Sequence, residues 1–136
     1  MNWEECIKLN LIEKRSKDKE LAKSLLKIAS SRFDFFSSKE ISIFVLEGIY
    51  ESIIELSHAL MAIEGLKTLS HECAIEFLRG RYIDDYEAEF LQKLRKKRHA
   101  IKYYGKILSE EVIKKFVETG KAIFLKLKSI VENKVI

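Results

Sequence analysis

A basic segment in the C-terminal half of the chain has the residue types that could bind a polyanion. Between positions 93 and 106 there is no acidic residue, whereas lysines and arginines occupy half of the positions. At 100° per residue, several of them share one side of a helix, with Tyr103 at its border. Lysine neutralises phosphate charge and arginine binds phosphate through two parallel hydrogen bonds, so this side indicates a site for RNA. Its residues are Arg95, Arg98, His99, Lys102 and Lys106.

The same segment also has a purely structural interpretation. Its basic side could face solvent and be balanced by acidic residues of neighbouring helices, such as Glu87 or Glu110. Charge alone does not separate the two interpretations. Lys97 interrupts the apolar side of the helix, so either its stem lies along the protein surface or that side is partly exposed. The apolar side consists of Phe90, Leu94, Ile101 and Tyr104.

Other residues capable of chemistry have simpler explanations. His58 lies on the polar side of a long predicted helix, and His71 follows the start of another without a catalytic partner nearby in sequence. Asp84 and Asp85 could suggest a metal, but helix capping explains the pair. We therefore expect structural roles here, and neither a metal nor a cofactor.

The two cysteines, Cys6 and Cys73, are far apart in sequence and have no CxxC spacing or histidine partner. This pattern favours neither a zinc site nor a disulfide framework. We expect both to be small buried apolar residues.

The composition is that of a soluble globular protein, with 47% hydrophobic and 34% charged residues. Its length suits a single domain over residues 1–136, with a core of its own. No leader or membrane-spanning stretch is visible, which predicts a cytoplasmic protein without membrane contact. The absence of proline and the many Ile, Lys and Glu residues hint at a thermophile.

Apolar residues recur at spacings of three and four, which predicts helices throughout. Because the connections are short, sequential helices should lie antiparallel, giving an all-α up-and-down bundle of about five to six helices. The predicted helices span positions 2–13, 16–36, 41–66, 70–78, 84–104 and 109 onwards.

Capping residues predict where these helices begin and end. Ser37 with Glu40 indicates a capping box before the longest helix, whereas Ser70, Asp84 and Ser109 indicate later starts. Helix ends are indicated by Gly65, Gly80 and Gly105, and Gly120 is expected to be a tolerated weak position costing about 1 kcal/mol.

Three segments together resemble prokaryotic HEPN domains, a family of RNA-associated helical bundles. They are FVLEGIYESIIELSHAL at 44–60, Glu64-Gly65 with Ser70-His71-Glu72, and LRKKRHAIKYYG at 94–105. The resemblance covers the chain from about Leu21 to its end.

The functional motif of that family is an arginine, a polar residue directly after it, and a histidine separated from the arginine by four to six intervening residues. Arg98 and His99 match the first two positions, but Tyr103 occupies the position expected for the histidine. Arg95 is too close to His99 for His99 to complete the motif from it. This sequence therefore carries a degenerate motif.

A complete motif would imply metal-independent RNA cleavage, with histidine deprotonating the ribose 2′-hydroxyl and arginine binding the scissile phosphate. Tyrosine is a poor substitute, because a reference pKa of about 10 leaves only about one part in a thousand ionised at pH 7. Cleavage through Tyr103 would require Arg98 or Lys102 to depress that pKa. Tyr103 nevertheless keeps a hydrogen-bonding hydroxyl and a stacking face, which favours binding over cleavage.

Three functions remain open from the sequence. The first is an RNA- or nucleotide-binding HEPN-type domain, with weak or no ribonuclease activity. For this function the resemblance implies a homodimer in which the Arg98 segments of two protomers meet. The second is an active, toxin-like ribonuclease with Arg98, His99 and Tyr103 as catalytic residues. For this one the resemblance implies a separately encoded minimal nucleotidyltransferase as antitoxin. The third is a protein-interaction module without RNA affinity.

Overall fold

The computed structural model describes residues 1–136 and forms an antiparallel helical bundle, which confirms the predicted all-α class. Two short strands are added to its six helices. None of the helices is both long enough and apolar enough to cross a membrane. The elements are α1 (Trp3–Lys8), β1 (Glu13–Lys14), α2 (Lys19–Ser37), α3 (Ile43–Glu64), β2 (Leu66–Lys67), α4 (His71–Leu78), α5 (Asp85–Tyr104) and α6 (Glu110–Lys134).

Helix α3 is the centre of the bundle. Fourteen of its 22 residues are buried, and it packs against α2, α4, α5 and α6. Side chains from these helices form one continuous apolar core. Removal of this surface from water is the main stabilising contribution to the bundle. Because most of α3 is buried, only its few partly exposed residues are available to a functional site.

Most predicted helix boundaries are confirmed. The side chains of Ser70, Asp84 and Ser109 accept hydrogen bonds from backbone amides of the first turn of α4, α5 and α6. Gly65 and Gly105 end α3 and α5 in the left-handed conformation. These caps satisfy helix-end groups that would otherwise lack partners.

The capping box predicted at Ser37 and Glu40 is wrong. Helix α2 continues through Ser37 because Phe33 and Phe36 extend its apolar stripe, and Ser42 caps α3 instead. The Oγ atom of Ser42 accepts a hydrogen bond from the amide of Val45 at 3.4 Å. The turn between the helices therefore lies a few residues later than the sequence indicates.

The first helix is also shorter than predicted. It ends at Lys8, and Asn10 then adopts a left-handed conformation with φ of 56°. Strand β1 then pairs with β2, which follows α3 directly, with Glu13 opposite Lys67 and Lys14 opposite Leu66 in an antiparallel ladder. This two-stranded sheet fastens the N-terminal segment to the bundle.

The structure corrects the expectation for the two cysteines. Both are fully buried, as predicted, but Cys6 and Cys73 form a disulfide that joins α1 to α4, with Cα atoms 5.9 Å apart. The bond closes a loop across a sequence separation of 67 residues. A closure of this length reduces the conformational freedom of the unfolded chain and typically stabilises a fold by about 2–4 kcal/mol.

Two glycines allow helices to approach each other closely. A Cβ atom at Gly48 would lie 2.1 Å from the Phe36 ring, and one at Gly120 would lie 3.0 Å from Cγ2 of Ile49. Gly120 is therefore a packing position between α6 and α3, rather than only a tolerated weak position. Gly48 sets the distance between α3 and α2.

We predict that Gly48→Ala lowers the free energy of unfolding by about 1–3 kcal/mol, because the added methyl group overlaps the Phe36 ring. Urea denaturation measures the change. Phe36→Leu should cost less in the Gly48→Ala background than in the wild type, since it makes room for the methyl group. Equal costs in both backgrounds would contradict this packing explanation.

Candidate functional site

Helix α5 places Arg98 against the central helix. Nη2 of Arg98 lies 2.9 Å from a carboxylate oxygen of Glu51, and its guanidinium lies 5.6 Å from the centre of the Tyr50 ring. The side chain is only 26% exposed, and its Nε atom is buried without a hydrogen-bond partner. A buried donor without a partner is costly, so this atom retains unused capacity to bind an acceptor.

Arg95 belongs to a second polar group, which joins α5 to α4. Its Nε atom donates to the side-chain oxygen of Gln92 at 2.8 Å, and its Nη2 atom lies 3.7 Å from Glu72. Gln92 donates in turn to the backbone carbonyl of Glu72 and to the buried carboxylate of Glu76. Arg95 is therefore held by its own chain and is less available to a ligand than the sequence indicates.

His71 joins the Arg98 group through Tyr50. Its Nδ1 atom lies 3.0 Å from the Tyr50 hydroxyl in a hydrogen bond between α4 and α3. Burial is the main cause that lowers the pKa of His71, and the charges of Arg98 and Arg95 lower it further, although Glu51 opposes them. His71 is consequently neutral at pH 7, and burial also keeps Tyr50 protonated by raising its pKa.

His58 is electrostatically coupled to the same group. Burial lowers the pKa of His58, and protonation of the neighbouring His71 would lower this pKa further. Both histidines are therefore neutral in the folded protein at pH 7. Protonation of either one on acidification would place a charge in a poorly solvated position.

The remaining predicted residues lie further out on α5. His99 and Tyr103 are exposed, and their ring centroids are 4.5 Å apart. Nζ of Lys102 lies 5.8 Å from the centre of the Tyr103 ring, whereas Lys106 is exposed beyond the end of the helix. The guanidinium of Arg98 is directed at Glu51 and Tyr50. The structure thus divides the predicted site into an inner arginine group and an outer group of lysines and rings.

Charge balance differs between the arginines and the lysines of the segment. The arginines are balanced by Glu51 and Glu72, rather than by Glu87 or Glu110, and Glu87 instead pairs with Lys126. The lysines have no carboxylate within 4 Å, so their positive charge remains available. They are Lys93, Lys96, Lys97, Lys102 and Lys106.

Sequence reasoning missed the contributions of Tyr50, Glu51 and His71. One feature of the sequence indicates that α3 takes part in a polar site. Glu47, Glu51 and Glu55 recur every four residues on an otherwise apolar helix, which places three acids on one side of α3. Nothing in the spacing shows that this side would meet α5. No three residues of the metal-ligating types are grouped so that they could hold a metal ion.

No family model, curated protein or solved structure matches the chain.

We predict that acidification destabilises the protein partly through its two half-buried histidines. The unfolded chain takes up protons near pH 6.5, whereas folded His58 and His71 do so only at lower pH. Stability contributed by these groups is thus present above pH 6.5 and is lost as the pH falls below it. The double variant His58→Gln/His71→Gln should lose less stability than the wild type between pH 7.5 and pH 5.

Thermal denaturation at several pH values measures this difference. The control is His99→Gln, which removes an exposed imidazole and leaves the two half-buried histidines in place. A double variant with the same pH slope as the wild type would contradict the assignment.

Proposed function

We propose that this protein is a single-stranded RNA-binding domain of HEPN type, with weak or no ribonuclease activity. The observation that carries the proposal is the outer surface of α5, where Lys102 and Lys106 are exposed and free of carboxylates beside the exposed rings of His99 and Tyr103. Unpaired lysines attract the phosphates of RNA, and exposed rings supply faces on which bases stack.

Arg98 can add a phosphate contact to this surface, but its ion pair with Glu51 opposes that contact. To bind a phosphate through two hydrogen bonds, its guanidinium would have to leave Glu51, which now holds one of its nitrogens. Glu51 therefore competes with the phosphate. This competition favours moderate affinity and makes the carboxylate a useful position for experiment.

The resemblance to the HEPN family gains support from the arrangement of its segments. Tyr50 from the first segment, His71 from the second and Arg98 from the third belong to one contact group, although they are far apart in sequence. The three segments on which the resemblance rests thus meet in one contact group around the buried Tyr50 side chain. Their proximity is what a common functional site would require.

We also propose that the protein forms a homodimer. Exposed apolar side chains occur at the end of the bundle where α3 begins and α5 ends, and two of them, Ile41 and Ile107, line the same depression. A depression of about 660 Å³ lies there between Ile41 and Leu108. Exposed apolar surface of this kind typically marks an interface.

The cellular setting is likewise a proposal. We propose a cytoplasmic protein from a thermophile, and a minimal nucleotidyltransferase as antitoxin only for the second function below, an active ribonuclease. A buried disulfide such as Cys6–Cys73 is compatible with this setting, because intracellular proteins of hyperthermophiles often contain disulfides.

We predict opposite effects of two substitutions on RNA binding. Arg98→Ala should weaken binding of a mixed RNA pool and reduce the slope of log K against log salt by about one, since one phosphate contact is lost. Glu51→Gln should tighten binding, because it releases Arg98 and removes a negative charge. Filter retention over a salt series measures both effects.

The control for these variants is Lys27→Ala, which removes a charge from α2, a helix without contact to α5. Light scattering on the same samples measures the oligomeric state, for which we expect a dimer. Negligible RNA binding by the wild type at physiological salt would refute the proposal and favour a protein-interaction module.

A second function, metal-independent RNA cleavage, is favoured by the position of His71. The histidine missing from the motif at Tyr103 would be replaced by one from α4, which is neutral and joined to the Arg98 group through Tyr50. In this arrangement Nδ1–H of His71 donates to the Tyr50 oxygen, which leaves the Nε2 lone pair free to accept a proton.

In the corresponding reaction, one bond to phosphorus forms as another breaks. Nε2 of His71 takes the proton of a ribose 2′-hydroxyl, and the resulting oxygen attacks the adjacent phosphorus. The bond from phosphorus to the 5′-oxygen breaks, and that oxygen takes a proton from a water molecule. The hydroxide that remains takes back the proton held by Nε2, which returns His71 to its neutral form. Arg98 stabilises the negative charge on the phosphate during this step.

We predict that any cleavage seen in the presence of chelator falls by about 10²–10⁴ in His71→Gln, because the general base is lost. Tyr103→Phe should retain cleavage if His71 is the base. Labelled RNA and gel analysis measure the rates. Cleavage lost in Tyr103→Phe but kept in His71→Gln would assign the base to Tyr103, and an intact RNA pool at high protein concentration would refute the nuclease.

A further inference from the structure

A groove between α5 and α6 lies on the side of α5 away from Arg95 and Arg98. It consists of two adjoining depressions of about 410 and 430 Å³, both of which are lined by Tyr86, Phe90 and Phe116. This is the side of α5 that the sequence assigns to the core. Helix α6 covers it only in part, so aromatic surface remains open to solvent.

The floor of the groove is aromatic. The rings of Phe90 and Phe116 lie with centroids 5.2 Å apart, and Phe116 is buried. Tyr86 stands beside them with 76% of its surface exposed. A planar heteroaromatic ring could lie against this floor and stack on Tyr86.

The rim of the groove is strongly basic. Lys93, Lys96 and Lys97 on α5 lie opposite Lys115 on α6, and none of the four has a carboxylate within 4 Å. The acidic residues of the groove are Glu89 and Glu118. Glu89 is occupied by Arg79 at 2.8 Å, so the lysines are in excess.

Lys97 lies in the wall of the first of the two depressions. Its stem interrupts the apolar side of α5, and its side chain is half-buried in the groove wall. The lysine places a positive charge at the edge of the aromatic floor.

We propose that this groove binds a nucleotide, with the base against the aromatic floor and Tyr86, and the phosphates against the lysines. The pairing of an apolar aromatic floor with several unpaired cations matches this amphipathic class of ligand, and the volumes lie within the usual range for small-molecule sites. The site uses none of the residues assigned above to the RNA-binding surface. It therefore stands independently of the proposed function.

The same chemistry is present in a free nucleotide and in one unit of a single strand, and two titrations separate these sources. Calorimetry with ATP in chelator tests the free nucleotide. A short uridine strand is titrated into the Arg98→Ala/Lys102→Ala variant, in which the RNA-binding surface is weakened, so that the groove is measured alone.

We expect Tyr86→Ala to weaken binding roughly 5- to 100-fold through lost stacking. Lys97→Gln and Lys115→Gln, on the two facing helices, should each weaken binding several-fold and lower its salt dependence. The matched control Lys27→Gln on α2 should leave binding unchanged. Binding of ATP assigns the free nucleotide, whereas binding of the strand alone assigns a single-stranded ligand, and either supports the proposal.

Three results would overturn the proposal. The first is absence of binding in both titrations. The second is that inorganic triphosphate competes at the same concentration as ATP while Tyr86→Ala has no effect, and the third is equal loss of binding in Lys27→Gln and in the groove variants. Absence of nucleotide binding in the groove would not change the expected effect of Arg98→Ala on RNA retention. The two proposals can therefore be refuted independently.

Discussion

Burial of α3 on nearly all sides is the constraint on which the rest of the structure depends. A helix in the middle of a bundle has little room for polar groups, and those it carries must find partners. Ser52 and Ser57 are fully buried and donate to the backbone carbonyls of Gly48 and Ala74 at 2.8 Å. The Ser57 contact also fixes α4 against α3, which is how His71 comes to lie beside Tyr50.

The same constraint shapes the electrostatics of the candidate site. Glu51 and Tyr50 are adjacent on α3, one half-exposed and the other buried, so α5 meets both a carboxylate and an aromatic face. An arginine suits this position because its planar guanidinium can pair with one group and lie over the other. The Arg98 side chain is therefore partly exposed. It is more accessible than an arginine in a fully buried ion pair and less accessible than an unpaired arginine in an open phosphate site.

Local sequence signals predicted the parts of the fold that depend on local physics. Ser70, Asp84, Ser109, Gly65 and Gly105 fix helix ends through contacts within a few residues, and such contacts follow from residue type. The small sheet and the disulfide join segments more than 50 residues apart, and no local pattern encodes which distant residues will meet. The candidate site shows the same division. Arg98 was visible as part of a basic helix, but its contacts with Glu51 and Tyr50, and the contact of Tyr50 with His71, depend on how α3, α4 and α5 pack.

The contact between Gly48 and Phe36 has a consequence for the divergence of this sequence. The Phe36 ring of α2 occupies the space that a side chain at position 48 of α3 would need, so the two residues compete for one volume. A chain with this fold and a larger residue at position 48 must have a smaller one at position 36, or a wider separation of α2 and α3. In distant relatives the pair would therefore change together. Joint substitution at these two positions would identify the packing of the bundle even where the residues of the candidate site have been replaced.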